Sequence, residues 1–369
     1  MKIKIINVLA IFAIALFAVF SCKPKQQVTA ASTETLNFQV GCVAFYNLEN
    51  FFDTVHNVGV NDYEYTPTGT NKWNAMKYMA KLKNMSYAIS QFGLEHAPNV
   101  GAVIVGVSEI ENRGVLEDLV RQPSIAARQY GIVHYDSPDR RGIDVGLIYN
   151  PRFFTVSSSK SFFLGKKFLG GTQYKDAPDS TFRTRNPLLV SGYLFGEKIH
   201  VIVNHWPSRT GGEVESQPLR IAAASLTRYI VDSLFNADQN AKIIIMGDLN
   251  DDPFNESCKT IMNAKRDESE ATGTALFNVF WKTLDSGVGS LAYQGRWNFF
   301  DQIMISPALL SKERDKLHFW KSEVFNRPFL TWQEGEYKGM PHRTHSRGVW
   351  VNGYSDHYPT MIYLIKEKK

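Results

Sequence analysis

Short apolar segments of strand length recur from residue 40 onward, and this recurrence restricts the fold more than any other feature of the chain. Some follow one another directly, as in the hairpin predicted for Leu188–Leu194 and Lys198–Val203 around Gly196-Glu197, and others alternate with helical patterns. Strands that adjoin both helices and other strands are typical of two packed sheets with helices outside. The other predicted strands are Val40–Tyr46, Val100–Val107, Gly131–Tyr135, Asp144–Tyr149, Phe153–Phe163, Lys242–Met246, Phe299–Ile305, Leu317–Phe325 and Thr360–Ile365.

Three segments have helical spacing of apolar residues: Trp73–Phe92, Gly114–Arg121 and Gln217–Phe235. In the first, the predicted buried face consists of Met76, Met79, Leu82, Met85, Ile89 and Phe92. No interior segment has the composition of a linker, and no repeat of fixed period occurs. These observations predict one folded domain over residues 38–369.

The chain begins with the pattern of a secretory signal. Met1–Asn7 is basic without an acidic residue, and Val8–Phe20 is an apolar run shorter than the ~20 residues that a membrane-spanning helix needs. We therefore predict a signal peptide over residues 1–21 and a polar tether over residues 22–37.

The end of the predicted signal, Val19-Phe20-Ser21-Cys22, resembles a bacterial lipobox, although Phe20 stands where a small residue is usual. The resemblance implies that Cys22 is lipidated and becomes the first residue of an exported lipoprotein, anchored in the membrane of a bacterial cell envelope. The alternative is a cleaved signal peptide without a lipid.

Neither the net charge nor the cysteine content identifies a partner. The formal charge is +5, and loss of Lys2 and Lys4 with the signal peptide would lower it by two, to +3. A nearly neutral chain gives no evidence for nucleic acid, so a site for a polyanion would have to come from local clustering. Cys42 and Cys258 are predicted to be separate buried thiols, although an exported protein could also pair them.

Polar residues collect where the predicted strands end, which is the usual place for a site on a sheet scaffold. Each of them alone has an ordinary structural explanation, such as an Asp/Asn turn. Together they supply the carboxylates, amides and imidazoles that bind a hard cation and a phosphate ester. They are Asn47, Glu49, Glu109, Asn204, His205, Asp248, Asn250, Asp301, Asp356 and His357.

These residues occur in six blocks: Tyr46-Asn47-Leu48-Glu49-Asn50, Ser108-Glu109-Ile110-Glu111-Asn112, Asn204-His205-Trp206, Gly247-Asp248-Leu249-Asn250, Asp301 and Ser355-Asp356-His357. In this order the blocks resemble the endonuclease/exonuclease/phosphatase superfamily, over the chain from Gly41 to Ile365. The resemblance implies a DNase I-like four-layer α/β sandwich, in which two packed, mostly antiparallel sheets are flanked by helices. It also implies metal-dependent hydrolysis of phosphoesters by the domain over residues 38–369.

For the metal site, the resemblance implies Mg²⁺ or Mn²⁺ as the cofactor. Glu109 corresponds to the central ligand, and Asp356 and Glu49 correspond to additional ligands, although many members carry Asp in place of Glu49. Hard cations of this kind take oxygen ligands and often keep several waters. Asp248 corresponds to the residue that deprotonates or orients the attacking water.

The resemblance also assigns roles around the phosphate. His357 would contact the phosphate, while Asp301 holds its ring orientation and favours the imidazolium. His205 would stabilise the phosphate or protonate the leaving group. Asn250 and Asn47 would bind phosphate oxygens or hold the base.

Arginines near these blocks could bind substrate phosphate through their planar guanidinium groups. The candidates are Arg141, Arg183, Arg185 and Arg343. Asp144 could instead pair with such arginines and give them a structural role. The basic segment Lys338–Arg347, which contains Arg343, is either a lid over an anionic substrate or a solvated loop, and Glu111 is either a positioning residue or a surface group.

Three classes of function are compatible with this reading. The first is an exported nuclease or phosphodiesterase acting on DNA or RNA, although no long basic stripe is present for following a phosphate backbone. The alternative is a phosphatase or phosphodiesterase of inositol phosphates or phospholipid head groups. A catalytically silent binding lipoprotein is disfavoured because the acidic residues and histidines are intact in every block. We expect a monomer.

Overall fold

The computed structural model describes residues 2–3, 36–293 and 295–368. Residues 4–35, which include Cys22 and most of the predicted signal peptide and tether, lie outside these ranges. The last two residues of the predicted tether, Leu36 and Asn37, belong to a strand. Within the described ranges, no helix is both long enough and apolar enough to cross a membrane.

The described residues include the predicted strands and helices in the predicted order, together with short elements that are not predicted. The strands are β1 (Lys2–Ile3), β2 (Leu36–Phe51), β3 (Ala102–Ile110), β4 (Gly131–His134), β5 (Asp144–Tyr149), β6 (Phe154–Ser161), β7 (Leu188–Leu194), β8 (Glu197–His205), β9 (Ile243–Asp248), β10 (Ala264–Lys265), β11 (Leu276–Asn278), β12 (Leu291–Tyr293), β13 (Arg296–Asn298), β14 (Asp301–Ile305), β15 (His318–Val324), β16 (His345–Ser346), β17 (Val349–Trp350) and β18 (Thr360–Glu367). The α-helices are α1 (Ala75–Gln91), α2 (Arg113–Val120), α3 (Glu213–Ala237) and α4 (Trp281–Asp285). The short elements that are not predicted are β1, β10 to β13, β16, β17 and α4. Single turns are the 3₁₀ segments Tyr63–Tyr65, Ala126–Arg128, Lys166–Phe168, Glu268–Glu270, Pro307–Leu310 and Pro328–Leu330, and the π-helical segment Ser257–Ile261.

Two seven-stranded sheets form the centre of the fold. The first has the order β15-β18-β2-β3-β5-β4, with β1 paired to β2, and its only parallel pair among the described strands is β2 with β3. The second has the order β10-β11-β14-β9-β8-β7-β6, in which β8 with β9 and β10 with β11 are parallel. The prediction of two packed, mostly antiparallel sheets flanked by helices is therefore confirmed.

Three apolar cores lie between the four layers of the fold, which are α1 with α2, the first sheet, the second sheet and α3. The side chains of β2 alternate between two of these cores. Cys42, Ala44 and Tyr46 point into the core that is shared with α1 and α2. Val43 and Phe45 point the other way, into the core between the two sheets. The third core lies between the second sheet and α3. Both faces of each sheet are thus buried, and the strand ends are left to carry polar side chains.

The predicted apolar face of α1 is wrong at its N-terminal end. Met76 and Met79 are 58% and 54% exposed, whereas Lys81 is buried on the inner face of the helix. The Nζ atom of Lys81 donates hydrogen bonds to the Thr344 hydroxyl and to the Tyr354 carbonyl, both at 2.5 Å. These partners come from a distant loop, so local periodicity could not indicate that a lysine belongs on this face.

Several further elements extend beyond their predicted bounds, and α3 and β2 do so by the most residues. Helix α3 begins at Glu213 rather than at Gln217, so Pro218 lies in its second turn and not at its start. Strand β2 continues past Tyr46 to Phe51 through an irregularity in its pairing with β3. Cys42 and Cys258 are separate, buried free thiols, as predicted.

Candidate active site

The candidate site lies where strands of both sheets end. In the first sheet, Asn47 on β2 is in register with Ser108, the residue before Glu109 on β3. In the second sheet, Asp248 at the end of β9 is in register with His205 on β8 and with Asp301 on β14. Because paired residues project from the same face of a sheet, this register brings their side chains together.

Four residues at these strand ends have a left-handed backbone: Glu49 (φ 46°), Asn50 (φ 51°), Glu109 (φ 58°) and Asn250 (φ 51°). Glu109 coincides with a shift of register between β3 and β5, and Glu49 and Asn50 lie in the shift between β2 and β3. For glutamate this conformation costs about 1–2 kcal/mol, whereas asparagine tolerates it. Such bulges turn side chains out of the regular ladder, here toward one centre.

Asn47 joins the two sheets at this centre. Its Nδ2 atom donates to Asp248 Oδ2 at 3.0 Å and to Glu109 Oε1 at 3.4 Å. Glu109 Oε2 accepts a hydrogen bond from the backbone N–H of Asn50 at 2.8 Å. Glu109 and Asp248 are therefore held side by side with their oxygens oriented by donors from β2.

His205 lies beside the same two carboxylates. Its Nε2 atom is 3.7 Å from Asp248 Oδ2 and 4.0 Å from Glu109 Oε1. Burial, together with the nearby positive charges of Arg185 and Arg141, lowers the pKa of His205 well below its usual value. The ring is consequently neutral at pH 7, which favours the predicted phosphate contact over the predicted role as proton donor.

His357 and Asp301 make the contact that the resemblance implies. The Nδ1 atom of His357 is 2.7 Å from Asp301 Oδ2, and its Nε2 atom is 3.9 Å from Asp248 Oδ2. Burial alone would lower the pKa of His357, but the carboxylates of Asp301 and Asp248 outweigh burial and raise the pKa well above its usual value. His357 is therefore an imidazolium placed between two carboxylates that face each other across β9 and β14.

Asp248 is buried, and its environment suits a base. Burial raises the pKa of Asp248 to about 7; His357 opposes this shift, whereas Asp301 and Glu109 add to it. The backbone N–H of Asn250 donates to Asp248 Oδ1 at 3.0 Å, and the Asn250 side chain donates to the Trp206 carbonyl at 2.9 Å. Of the two roles predicted for Asn250, this geometry favours holding the base.

Glu49 and Asp356 both form ion pairs with Arg343. Arg343 Nη2 is 3.2 Å from Glu49 Oε1 and 3.0 Å from Asp356 Oδ2. Burial and the proximity of Asp356 raise the pKa of Glu49 to about 7, against the opposing effects of Lys81 and Arg343. Among the described residues, no group of three or more acidic and histidine ligand atoms within 4.8 Å of one another includes Glu49 or Asp356. The three predicted metal ligands are thus not brought together as one set.

The predicted substrate arginines separate into different roles. Arg141 donates to Asn50 Oδ1 and lies 3.7 Å from Glu109 Oε2, so it belongs to the centre. Arg183 instead donates to the carbonyls of Pro138 and Gly59, at 2.9 and 3.1 Å. Its guanidinium therefore holds loop backbone, which supports the structural role for this residue.

Arg185 is held beside the centre by an acid that differs from the one expected. It lies 3.2 Å from Asp139 Oδ2 and donates to the Trp206 carbonyl at 2.5 Å. Asp144 does not pair with these arginines, because it binds His134 at 2.9 Å and also Ser137. The alternative that Asp144 pairs with these arginines is therefore wrong, and Asp139 pairs with Arg185 instead.

Two open alternatives are decided by contacts. Glu111 accepts hydrogen bonds from the backbone N–H of Asp53 at 2.6 Å and from the Asn57 side chain at 2.7 Å, so it positions the loop after β2. Within Lys338–Arg347, Arg343 reaches the centre, whereas Arg347 pairs with Glu336 at the surface. The segment is therefore partly a cover of the site and partly a solvated loop.

Three residues at the site had no predicted role. Asn50 holds Glu109, and Ser355 donates to the Asn47 carbonyl at 2.7 Å and accepts from the His357 N–H at 3.1 Å. Both stand inside the recognised blocks, and a serine two residues before His357 is a turn signal that could have found the second. Lys81 carries no such signal, because its partners Thr344 and Tyr354 lie in a distant loop.

A groove of about 770 Å³ opens beside the centre. Its lining includes His357, Asn250, Phe254, Tyr293, Arg296 and Phe300. Phe254 is 54% exposed and Tyr293 is 65% exposed. The groove therefore offers aromatic surface directly next to the imidazolium of His357.

The donor set suits a hard divalent cation. Glu109, His205 and Asp248 offer ligand atoms that all lie within 4.8 Å of one another, and two of the three are carboxylates. Glu109 is the least buried of the three, so one of its oxygens can be reached from outside. Carboxylate oxygens are the ligands that Mg²⁺ and Mn²⁺ prefer, so the residues fit such an ion.

Comparison with known proteins agrees with the fold. A sequence profile of the Endonuclease/Exonuclease/phosphatase family matches residues 42–366. A solved endonuclease/exonuclease/phosphatase family protein from Bacteroides thetaiotaomicron is similar with a TM-score of 0.51 and 14% sequence identity, covering 90% of this chain and 97% of that chain. A mannosyl-6-phosphatase from the same species has a TM-score of 0.50 and 15% identity, covering 88% and 99%. No curated protein matches the chain.

TDP2 from D. rerio, solved with a single-strand DNA product, has a TM-score of 0.48 and 13% identity, covering 88% of this chain and 98% of that chain. At such identities the likeness to solved structures concerns the fold alone. The profile match covers nearly all of the described domain, from within β2 to within β18. The chain belongs to the endonuclease/exonuclease/phosphatase family.

Proposed function

We propose that this protein is a metal-dependent phosphodiesterase that cleaves DNA or RNA. A divalent cation at Glu109 would neutralise charge on the phosphoryl oxygens of the substrate. Asp248 would accept a proton from the attacking water, since its pKa of about 7 matches the task near neutral pH. Asn47 and the Asn250 N–H hold the Asp248 carboxylate in place.

The two histidines would act on the same phosphate in different charge states. His357, held as an imidazolium by Asp301, would contact a phosphoryl oxygen through its Nε2–H. His205 would offer a neutral Nε2–H to the phosphate from the other side of Asp248. Arg141, half-exposed beside Glu109, would bind a further phosphoryl oxygen.

The aromatic groove beside His357 is the observation that favours a nucleotide substrate. Exposed Phe254 and Tyr293 can stack on a base, and stacking is worth about 1–3 kcal/mol per base. Inositol phosphates would need several unpaired cations, but Arg209 in this groove already lies 2.9 Å from Glu213 and 3.4 Å from Asp251. Arg296, which also lines the groove, has no ion-pair partner among the described residues and could bind one phosphate of a nucleic-acid strand.

A hydrolysis panel with Mg²⁺ or Mn²⁺ tests this proposal. The substrates are plasmid, linear DNA, RNA, inositol phosphates, sphingomyelin and a chromogenic diester with a small alkyl group. We expect cleavage of at least one nucleic acid. A preference for inositol phosphates or sphingomyelin over every nucleic acid would contradict the proposal.

Variants of the groove test whether its aromatic residues bind the bases of a nucleic acid. Phe254→Ala and Tyr293→Ala should each raise KM for a nucleic acid by roughly tenfold, because a base loses its stacking surface, with little effect on the small alkyl diester. Tyr193→Ala is the matched control, since Tyr193 is an exposed tyrosine on β7 and does not line the groove. Equal effects of Tyr293→Ala on both substrates would show that the groove does not bind bases.

We also propose export, lipidation at Cys22 and a monomeric state. The support for export and lipidation is the basic, apolar and lipobox-like order of residues 1–22. An enzyme placed outside the cytoplasm would meet nucleic acid from lysed cells, so the two proposals are compatible.

A further inference from the structure

Both oxygens of Glu49 are already engaged by the protein. Glu49 Oε1 accepts from Arg343 Nε at 3.2 Å, and Glu49 Oε2 accepts from the backbone N–H of Thr344 at 2.6 Å. The Glu49 side chain is only 4% exposed. The same guanidinium reaches Asp356 Oδ2 at 3.0 Å, so one arginine bridges the two acidic residues.

Lys81 gives this half of the centre a second positive charge. Its buried Nζ donates to the Thr344 hydroxyl and to the Tyr354 carbonyl, and these contacts place it behind Glu49. Two carboxylates, Glu49 and Asp356, are thus balanced by two basic groups, Arg343 and Lys81. A divalent cation entering between them would have to displace Arg343 and would meet the charge of Lys81.

The other half of the centre has an excess of negative charge. Glu109, Asp248 and Asp301 contribute three carboxylates, against the single imidazolium of His357. The guanidinium beside this half, Arg141, is partly exposed and lies 3.7 Å from Glu109 Oε2. A cation is therefore attracted to Glu109 and not to the balanced pair of Glu49 and Asp356.

We propose that Arg343 is a built-in cation that occupies the place between Glu49 and Asp356, so that the centre binds a single divalent ion, through Glu109. This inference rests on the proposed metal-dependent function. Its consequence is that Glu49 and Asp356 position Arg343 and the segment Lys338–Arg347 and do not ligate the ion. Arg343 then stands where its half-exposed guanidinium can also reach a substrate phosphate.

Calorimetric titration of the full chain with Mn²⁺ tests this assignment without any measurement of activity. We expect one bound Mn²⁺ per wild-type chain. Arg343→Gln removes the built-in cation and should create a second Mn²⁺ site, which Glu49→Gln in the same chain should remove again. Arg347→Gln is the matched control on the same loop, because Arg347 is exposed and pairs with Glu336 at the surface, and it should keep one site.

Single substitutions of the acidic residues guard against misfolding of Arg343→Gln. Glu49→Gln alone should change the Mn²⁺ affinity by less than about threefold, whereas Glu109→Gln should weaken it by more than about tenfold. Two bound ions in the wild type, or a tenfold loss in Glu49→Gln, would overturn the inference and leave the proposed function standing. Absence of any Mn²⁺ binding to the wild type would overturn both.

Discussion

Replacing Asp301 by asparagine isolates the charge that holds His357 as an imidazolium. The substitution keeps the size of the side chain and a hydrogen-bonding group at the position 2.7 Å from His357 Nδ1. Both side chains are buried, so solvent does not screen the interaction. Any change in the behaviour of His357 should therefore report the loss of the carboxylate charge.

The size of the effect follows from Coulomb's law. With charge centres ~4 Å apart and an effective dielectric constant of about 20, the interaction amounts to about 4 kcal/mol. Since one pKa unit corresponds to about 1.4 kcal/mol, Asp301→Asn should lower the pKa of His357 by about three units. The wild-type pKa lies well above its usual value, so wild-type His357 is charged throughout the neutral range and loses its proton only at higher pH.

The assay is a pH profile of kcat/KM for the wild type, Asp301→Asn, His357→Ala and the double variant. In Asp301→Asn the high-pH limb should move to lower pH, because the ring loses its proton sooner. The loss of rate should grow as the pH rises and reach at most about 1,000-fold, the factor that corresponds to three pKa units. The double variant should be little worse than His357→Ala alone, because the two residues act as one unit.

The opposite pattern would refute this reasoning. If Asp301 only completes the start of β14, the losses in the double variant would multiply. The high-pH limb of Asp301→Asn would then stay where the wild type has it. Thermal denaturation of all four proteins separates either result from a loss of folding.

Four further predictions concern the metal, the backbone and the membrane. Glu109→Gln should lower activity by ~100-fold or more while the protein stays folded, as shown by its circular dichroism, because the charge that holds the cation is lost. In metal-free buffer, stability should fall as the pH rises from about 4 to about 7, since Glu49 and Asp248 keep their protons up to about pH 7 in the folded state and lose them near pH 4 in the unfolded state. Mg²⁺ should therefore raise Tm more at pH 8 than at pH 5.5, and an equal shift would contradict this. Glu109→Asn should lower Tm of the metal-free protein less than Glu109→Ala does, since asparagine tolerates the left-handed backbone while both variants lose the hydrogen bonds from Asn47 and the Asn50 N–H; equal losses would contradict this. Cys22→Ser should release the protein from membranes into the soluble fraction, and unchanged membrane association would argue against the lipid anchor.

The sequence predicts the sheets and most of the site because those features are local. Consecutive residues are enough to indicate strand lengths, turns and the polar ends of strands such as Lys242–Met246 and Val100–Val107. The predicted pairing of Asp301 with His357 also occurs in the structure, although it came from the order of the blocks and not from periodicity.

The pairings of Glu49 with Arg343 and of Lys81 with Thr344 could not be predicted in this way. The partners are 294 and 263 residues apart in the chain. Which cation neutralises a buried acid depends on how a long loop packs, and no local pattern records that. For the same reason the sequence leaves open whether Asp144 pairs with arginines, whereas in the fold it pairs with His134.

The position of the centre on the seam between the sheets links the active site to the unfolding of the whole domain. Glu109 and Asn47 come from one sheet, and Asp248, His205 and Asp301 come from the other. The Asn47–Asp248 hydrogen bond spans 201 residues of chain, so the site cannot assemble in either half alone. An ion or a substrate bound there contacts residues of both sheets. It should therefore slow the separation of the two sheets during unfolding and protect the inner strands from hydrogen exchange, even at positions remote from the site.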